Sequence, residues 1–329
     1  MEGSATEAIT KKLHGDERML TVSTAQLGAL TLEQVKAAAQ SIMRTDNMEV
    51  TSVGDFDVAE FERLSLQYLG SVAAPAPDAA PLSAPPAVPS RDWRGETKHM
   101  DMHLEDSDER AVSYVSGQAP NKWGEWADGA SLAALLDVHP KKSDAAVQAR
   151  WKHKGFGAVA LTLIQEIVNR RLFSVVRERK QLTYDANFRF TDFERAKGGS
   201  YLVTVTSSPE NAPAALDACR DTLADLLGAE PITRDNLESA RHVTIGKHEA
   251  ELRTNRYWCE ILGGVQLDAA VPRKDMSCVR DYVALAERVS VDDLRLVLGS
   301  LECNAENMVT CIATSGVPDG HERVHVAPR

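Results

Sequence analysis

The chain has 329 residues, 43% of them hydrophobic and 26% charged, with a formal net charge of −11. That length exceeds one ordinary core and points to two units. The acidic balance argues against a nucleic-acid protein, which would carry a basic stripe, and no apolar run is long enough to span a membrane as a helix. The opening residues Met1-Glu-Gly-Ser-Ala-Thr-Glu-Ala8 lack the basic and apolar blocks of a secretory signal and are too acidic for a transit peptide. The five cysteines (Cys219, Cys259, Cys278, Cys303, Cys311) are an odd number without a C-x-x-C pair, so reduced and mostly buried thiols are expected.

Residues 1–70 read as a partial unit. Thr31-Leu-Glu-Gln34 has capping-box spacing and opens an apolar-periodic helix through Val35, Ala38, Ala39 and Ile42. Met48–Val53 alternates as a strand, and a second amphipathic helix carries Phe61, Leu64 and Leu66. Residues 71–93 are rich in proline and alanine, with six prolines by residue 90, and read as an extended linker.

Residues 94–316 read as a complete domain, with 317–329 a tail. Lys98–Leu104 and Ala111–Ser116 are expected strands joined by an acidic turn, and Leu132–Leu136 an expected helix. A long helix follows over roughly 144–177, interrupted near Gly155 and Gly157. Strands from Tyr184 and over Ser200–Thr206 flank Lys197-Gly198-Gly199 as a hairpin. Further helices are expected over Asn211–Leu227, Asp235–Leu252, Tyr257–Leu267 and Val279–Glu287. The end then repeats the beginning: Ser290 and Asp293 open a helix as Thr31 and Gln34 do, and Val309–Ala313 follows as a strand. The pattern suggests the tail of one domain copy followed by all of the next. The fold class is α/β in the layered α+β sense, an antiparallel-rich sheet packed by helices.

One stretch changes period in its middle. Leu161, Ile164, Val168, Leu172 and Val175 recur at helical steps, whereas Tyr184, Ala186, Phe188 and Phe190 alternate as a half-buried strand. Between them lies a charged elbow, Arg177-Glu-Arg-Lys-Gln181. The residues alone admit a solvated surface elbow, with Arg177 paired to a carboxylate and Tyr184 half-buried.

The run Arg171-Leu-Phe-Ser-Val-Val-Arg-Glu-Arg-Lys-Gln-Leu-Thr-Tyr184 resembles the zinc-free half of pitrilysin/insulinase-type metalloproteases. Val203–Pro209, His248–Leu252 and Val271–Cys278 narrow the resemblance to the stromal-processing branch of that family. It implies a two-part zinc metalloendopeptidase whose N-terminal half holds zinc through an H-x-x-E-H motif. None of the nine histidines here stands in that spacing, so this chain is expected to bind no cofactor or metal and to be inactive alone. His99 and His103 share a strand face without a third ligand, and His242 and His248 are given surface or capping roles. The resemblance assigns Arg177 and Tyr184 as catalytic donors to the substrate backbone and to the developing oxyanion, completing the zinc site of the other half. The implied partners are unfolded basic transit peptides and the zinc-bearing half, without nucleic acid or membrane insertion, and the implied location is the chloroplast stroma. A rival reading is a non-catalytic peptide-binding or scaffold module, like the zinc-free subunits of mitochondrial processing peptidase.

Overall fold

The computed structural model describes residues 2–16, 20–72, 74–75, 98–105, 108–183, 185–192, 196–266, 274–301, 303–304 and 306–316. Most of the linker, Tyr184, Val271–Arg273 and the tail from residue 317 lie outside the described residues. Among the described residues no helix is long and apolar enough to cross a membrane.

Five strands form one sheet: β1 (His99–Glu105), β2 (Arg110–Ala119), β3 (Asp185–Asp192), β4 (Gly199–Ser207) and β5 (Val309–Gly316), in the order β1-β5-β2-β4-β3. All neighbours are antiparallel except β1 and β5. The β3–β4 hairpin forms as its glycine turn predicts. The two strands flanking the acidic turn, however, do not pair with each other, because β5 is inserted between them. Local alternation identifies a strand but carries no information on which distant segment lies beside it.

The central strand β2 is buried along nearly its whole length, so both sheet faces are covered. Val115 faces the larger core with α6 (Phe156–Leu172), α7 (Ala212–Leu227) and α12 (Val291–Ser300). Val112 and Tyr114 face the other way, onto Ala5, Ile9 and Leu13 of α1 (Glu2–His14). That first helix is unanticipated from sequence. Although it lies within the N-terminal stretch, it packs on the sheet of residues 99–316.

The long helix of roughly 144–177 is present in pieces: α5 (Ala145–Trp151), α6, and a π-helical turn over Phe173–Arg179. Leu132–Val138 is a 3-10 helix. The helix expected over Val279–Glu287 is divided at Asp281 into α10 (Ser277–Arg280) and α11 (Tyr282–Arg288), preceded by α8 (Arg234–Glu251) and α9 (Asn255–Leu262). In the N-terminal stretch, α2 (Thr24–Gly28), α3 (Leu32–Ile42) and α4 (Val58–Tyr68) bury no residue. The strand expected over Met48–Val53 does not form: these residues carry no regular secondary structure and join no sheet among the described residues.

Candidate functional site

The elbow joins two arms, α6 and β3, that meet in the main core. The helical arm is α6, whose Leu163, Ile164, Val168 and Leu172 are fully or almost fully buried. Its first turn meets the loop at residues 121–124 so closely that only Gly157 fits there. At the far end the helix widens. Lys180 N–H reaches back to the Val175 carbonyl (3.0 Å) and Leu182 N–H to that of Val176 (3.0 Å), and Gln181 takes a left-handed φ of +54° to end the turn. Such wide turns recur at functional sites.

Val176 is completely buried and anchors the turn, which leaves Arg177, Glu178, Arg179 and Lys180 exposed. The Arg177 guanidinium lies 4.8 Å from the centre of the Phe173 ring, a cation–π contact. Among the described residues no carboxylate stands within ion-pair distance of it, so the carboxylate pairing that the residues alone admit is not the arrangement found. Neighbouring charges behave differently. Arg171 Nη1 meets Glu230 at 2.5 Å, and Glu166 accepts from Arg170 (3.0 Å) and Lys247 (2.9 Å), tying α6 to α8. Burial would raise the Glu166 carboxyl, but those two cations hold it below its ordinary range. A cleft of about 230 Å³ flanks the turn, lined in part by Arg171, Arg179, Lys180, Asp221 and Asp225.

The strand arm starts at Thr183. Its buried hydroxyl donates to the Thr206 carbonyl and accepts from Asp185 N–H at 3.0 Å, pinning the start of β3 to β4. Tyr184, the second assigned donor, lies outside the described residues between these two anchors. Phe188, two positions into the strand from Ala186, is fully buried and stacks on Tyr201 at 5.7 Å.

The histidines resolve separately. On β1, His99 Nδ1 contacts Thr310 Oγ1 (2.8 Å) and His103 Nδ1 contacts Thr314 Oγ1 (3.1 Å), so each ring is held by a threonine of β5. Among the described residues no group of three or more His, Cys, Asp or Glu side chains could hold a metal ion. His242 is exposed, but His248 is not the surface residue expected. It is buried, stacked on Tyr282 at 4.2 Å and within 3.4 Å of the Tyr257 hydroxyl. Burial pushes its imidazole pKa down. Its helical position gave no sign of this, because the covering rings arrive from α9 and α11.

Two polar residues of α6 near the elbow have a role that their sequence context does not announce. Asn169 and Gln165 are four apart on one helix row, and both reach the outer edge of β3. Paired amides beside an apolar stripe were the available signal.

The family model of the peptidase M16 inactive domain matches residues 29–243. The protein named stromal processing peptidase, chloroplastic, of Arabidopsis thaliana is 35% identical over 325 residues, covering 94% of this chain and 26% of the relative. That of Pisum sativum is 35% identical over 325 residues, covering 95% and 26%. The chain therefore spans about a quarter of the length of these curated relatives. The crystal structure of a peptidase M16 inactive domain from Pseudomonas fluorescens matches with a TM-score of 0.65 at 17% identity, covering 97% of this chain and 66% of that one. At that identity the likeness speaks for the fold.

Proposed function

Since the chain belongs to the peptidase M16 inactive-domain family, we propose that it is the zinc-free part of a metalloendopeptidase of the stromal-processing type. It binds the backbone of an extended transit peptide opposite a zinc-bearing half, in the chloroplast stroma, as the names of its relatives suggest. Arg177 and Tyr184 donate hydrogen bonds to a peptide carbonyl and to the oxyanion that develops from it. The metal belongs to the other half, where it supplies an activated water. Basic, acid-poor peptides are drawn toward a chain of net charge −11 by long-range attraction.

The observation that carries this reading is the state of Arg177. Its guanidinium faces solvent on a π-helical turn, steered by Phe173 and, among the described residues, not neutralised by a carboxylate. A cation so presented is available to a ligand, whereas Arg171 and Arg170 are already engaged by glutamates. The test is precursor processing by the full-length protein carrying Arg177→Ala or Tyr184→Phe. Loss of one oxyanion donor corresponds to about 3–4 kcal/mol, or 100-fold and more in kcat. Wild-type rates in both variants would remove the catalytic role and leave a scaffold module.

Residues 1–70 take their place in the same reading as the end of a preceding, related domain, with α1 docked on the sheet of residues 99–316. Apart from Val138, Phe173, Leu227 and Met276, the large apolar side chains that stand exposed among the described residues all fall between Val22 and Leu69. The capping boxes of α3 (Thr31 with Gln34) and α12 (Ser290 with Asp293) are alike, and the apolar face that follows is buried in α12 at Leu294 and Val297. In α3 the matching Val35 is 50% exposed. A related α/β body would cover that face.

A further inference from the structure

β3 is the outer strand of the sheet, bonded on one side to β4. Its other side is occupied by side chains of α6. Phe188 N–H donates to Asn169 Oδ1 at 2.7 Å, and Asn169 Nδ2 donates to the Phe188 carbonyl at 2.9 Å. The amide of Asn169 thus stands where the peptide group of another strand would stand. One turn earlier, Gln165 Oε1 accepts from Phe190 N–H at 3.0 Å.

These two rungs set a register. Four residues of α-helix advance about 6 Å, and two residues of strand advance about 6.6 Å. Helix positions 165 and 169 therefore meet strand positions 190 and 188 in step, running antiparallel. On the helix the row continues through Phe173 to Arg177, whose guanidinium contacts the Phe173 ring. Just beyond the second rung, at Asn169, α6 passes into the wide turn of Phe173–Arg179, and uncommon backbone states persist only where their surroundings over-determine them.

We propose that Asn169 is a positioning residue for Arg177. Its amide locks α6 to β3 on the last α-helical turn before the helix widens, and so sets where the guanidinium is presented to a peptide. By filling the strand edge it also denies that edge to an added peptide strand, which leaves the elbow side chains to make the contact. The proposal rests on the role given to Arg177 above.

The experiment is a double-mutant cycle on precursor processing by the full-length protein, with Asn169→Ala, Arg177→Ala and both together. Asn169→Ala is expected to lower kcat about 10- to 100-fold while KM changes less than about two-fold, and Asn169→Asp, which keeps the acceptor but loses the donor, should fall between. In the Arg177→Ala background the Asn169 substitution should have no further effect on kcat. A full additional loss in that background would make Asn169 merely structural and overturn the proposal. So would a wild-type kcat for Asn169→Ala beside a defective Arg177→Ala, an outcome that leaves the Arg177 role standing. A wild-type rate for Arg177→Ala itself would sink both. Should Asn169→Ala fail to fold, Asn169→Asp and Asn169→Gln carry the same cycle with the same deciding outcomes.

Discussion

Arg150 and Asp293 meet side-on inside the protein: guanidinium Nε and Nη2 stand 2.8 and 3.0 Å from the two carboxylate oxygens, and Asp293 has no solvent exposure. Trp151 Nε1 donates to the same carboxylate at 2.6 Å, as do Ser290 N–H (2.7 Å) and Ser290 Oγ–H (2.8 Å). His139 Nε2 lies 3.0 Å away. A residue that caps α12 is therefore also the joint holding α5 and the segment at His139 to it.

Asp293→Ala should destabilise the fold by about 3–5 kcal/mol, because it leaves Arg150 buried and uncompensated. Urea unfolding at pH 7 measures this, and a loss below about 1 kcal/mol would contradict it. Burial pushes the Asp293 carboxyl up, but hydrogen bonds from Arg150, Ser290 and Trp151 outweigh that and hold it below its ordinary 3.8. Its contribution is thus complete above the unfolded carboxylate pKa and is lost as pH falls below that range.

His14 gives a second pH effect, with the same sign and at higher pH. Burial lowers its pKa to about 4 from 6.5, against an upward pull from Asp16. The folded form binds fewer protons than the free helix between those values. Docking of α1 is therefore fully stable above pH 6.5 and weakens toward pH 4, by up to about 3 kcal/mol. Amide protection in residues 5–13, taken relative to the intrinsic exchange rate at each pH, should be lower at pH 5 than at pH 7.5, and His14→Gln should flatten the difference. Equal protection at both pH values in the unsubstituted chain would refute it.

Thiol reactivity should separate the cysteines by burial. Burial pushes Cys219 and Cys303 up to about 12 and Cys311 to about 11, whereas Cys259 is exposed. The thiolate is the reactive species. Iodoacetamide followed by peptide mass spectrometry should find Cys259 labelled first, Cys278 next, and the three buried thiols only after unfolding. Native labelling of Cys219 at the rate of Cys259 would mean that the main core is not closed.

Two helical glycines should respond oppositely to alanine. A Cβ at Gly157 would lie 2.8 Å from the Gly124 nitrogen and 2.9 Å from the Lys122 oxygen, both backbone atoms. Gly157→Ala should cost about 1–3 kcal/mol. At Gly246, within α8, nothing lies within 4 Å, and alanine should stabilise by up to about 1 kcal/mol. Thermal unfolding of both variants reads the contrast, and a stable Gly157→Ala would show that α6 and the 121–124 loop can separate freely.

Much of this molecule is written locally. The change from helical to strand period around Arg177, the Thr31 and Ser290 capping boxes and the β3–β4 hairpin each follow from residues within a few positions of one another. Their physics is short-range: side-chain periodicity, a hydroxyl reaching a free amide, a glycine turn. The family resemblance rests on the same contiguous stretch, Arg171–Tyr184.

Tertiary structure decided what those local devices were for. β5 lies between β1 and β2, across about two hundred residues of sequence, because strand partners are chosen by the burial of whole faces and by loop closure, which favours no distant pairing strongly over another. His248 turned inward and Asp293 became a joint because side chains from other elements surrounded them. Asn169 and Gln165 are ordinary helix amides until β3 is laid beside them. Periodicity alone determined that a helix would turn into a strand around a charged corner. Only the packing of that strand against α6 determined how the corner is held, since a hydrogen-bonding amide has no fixed meaning until its partner has arrived.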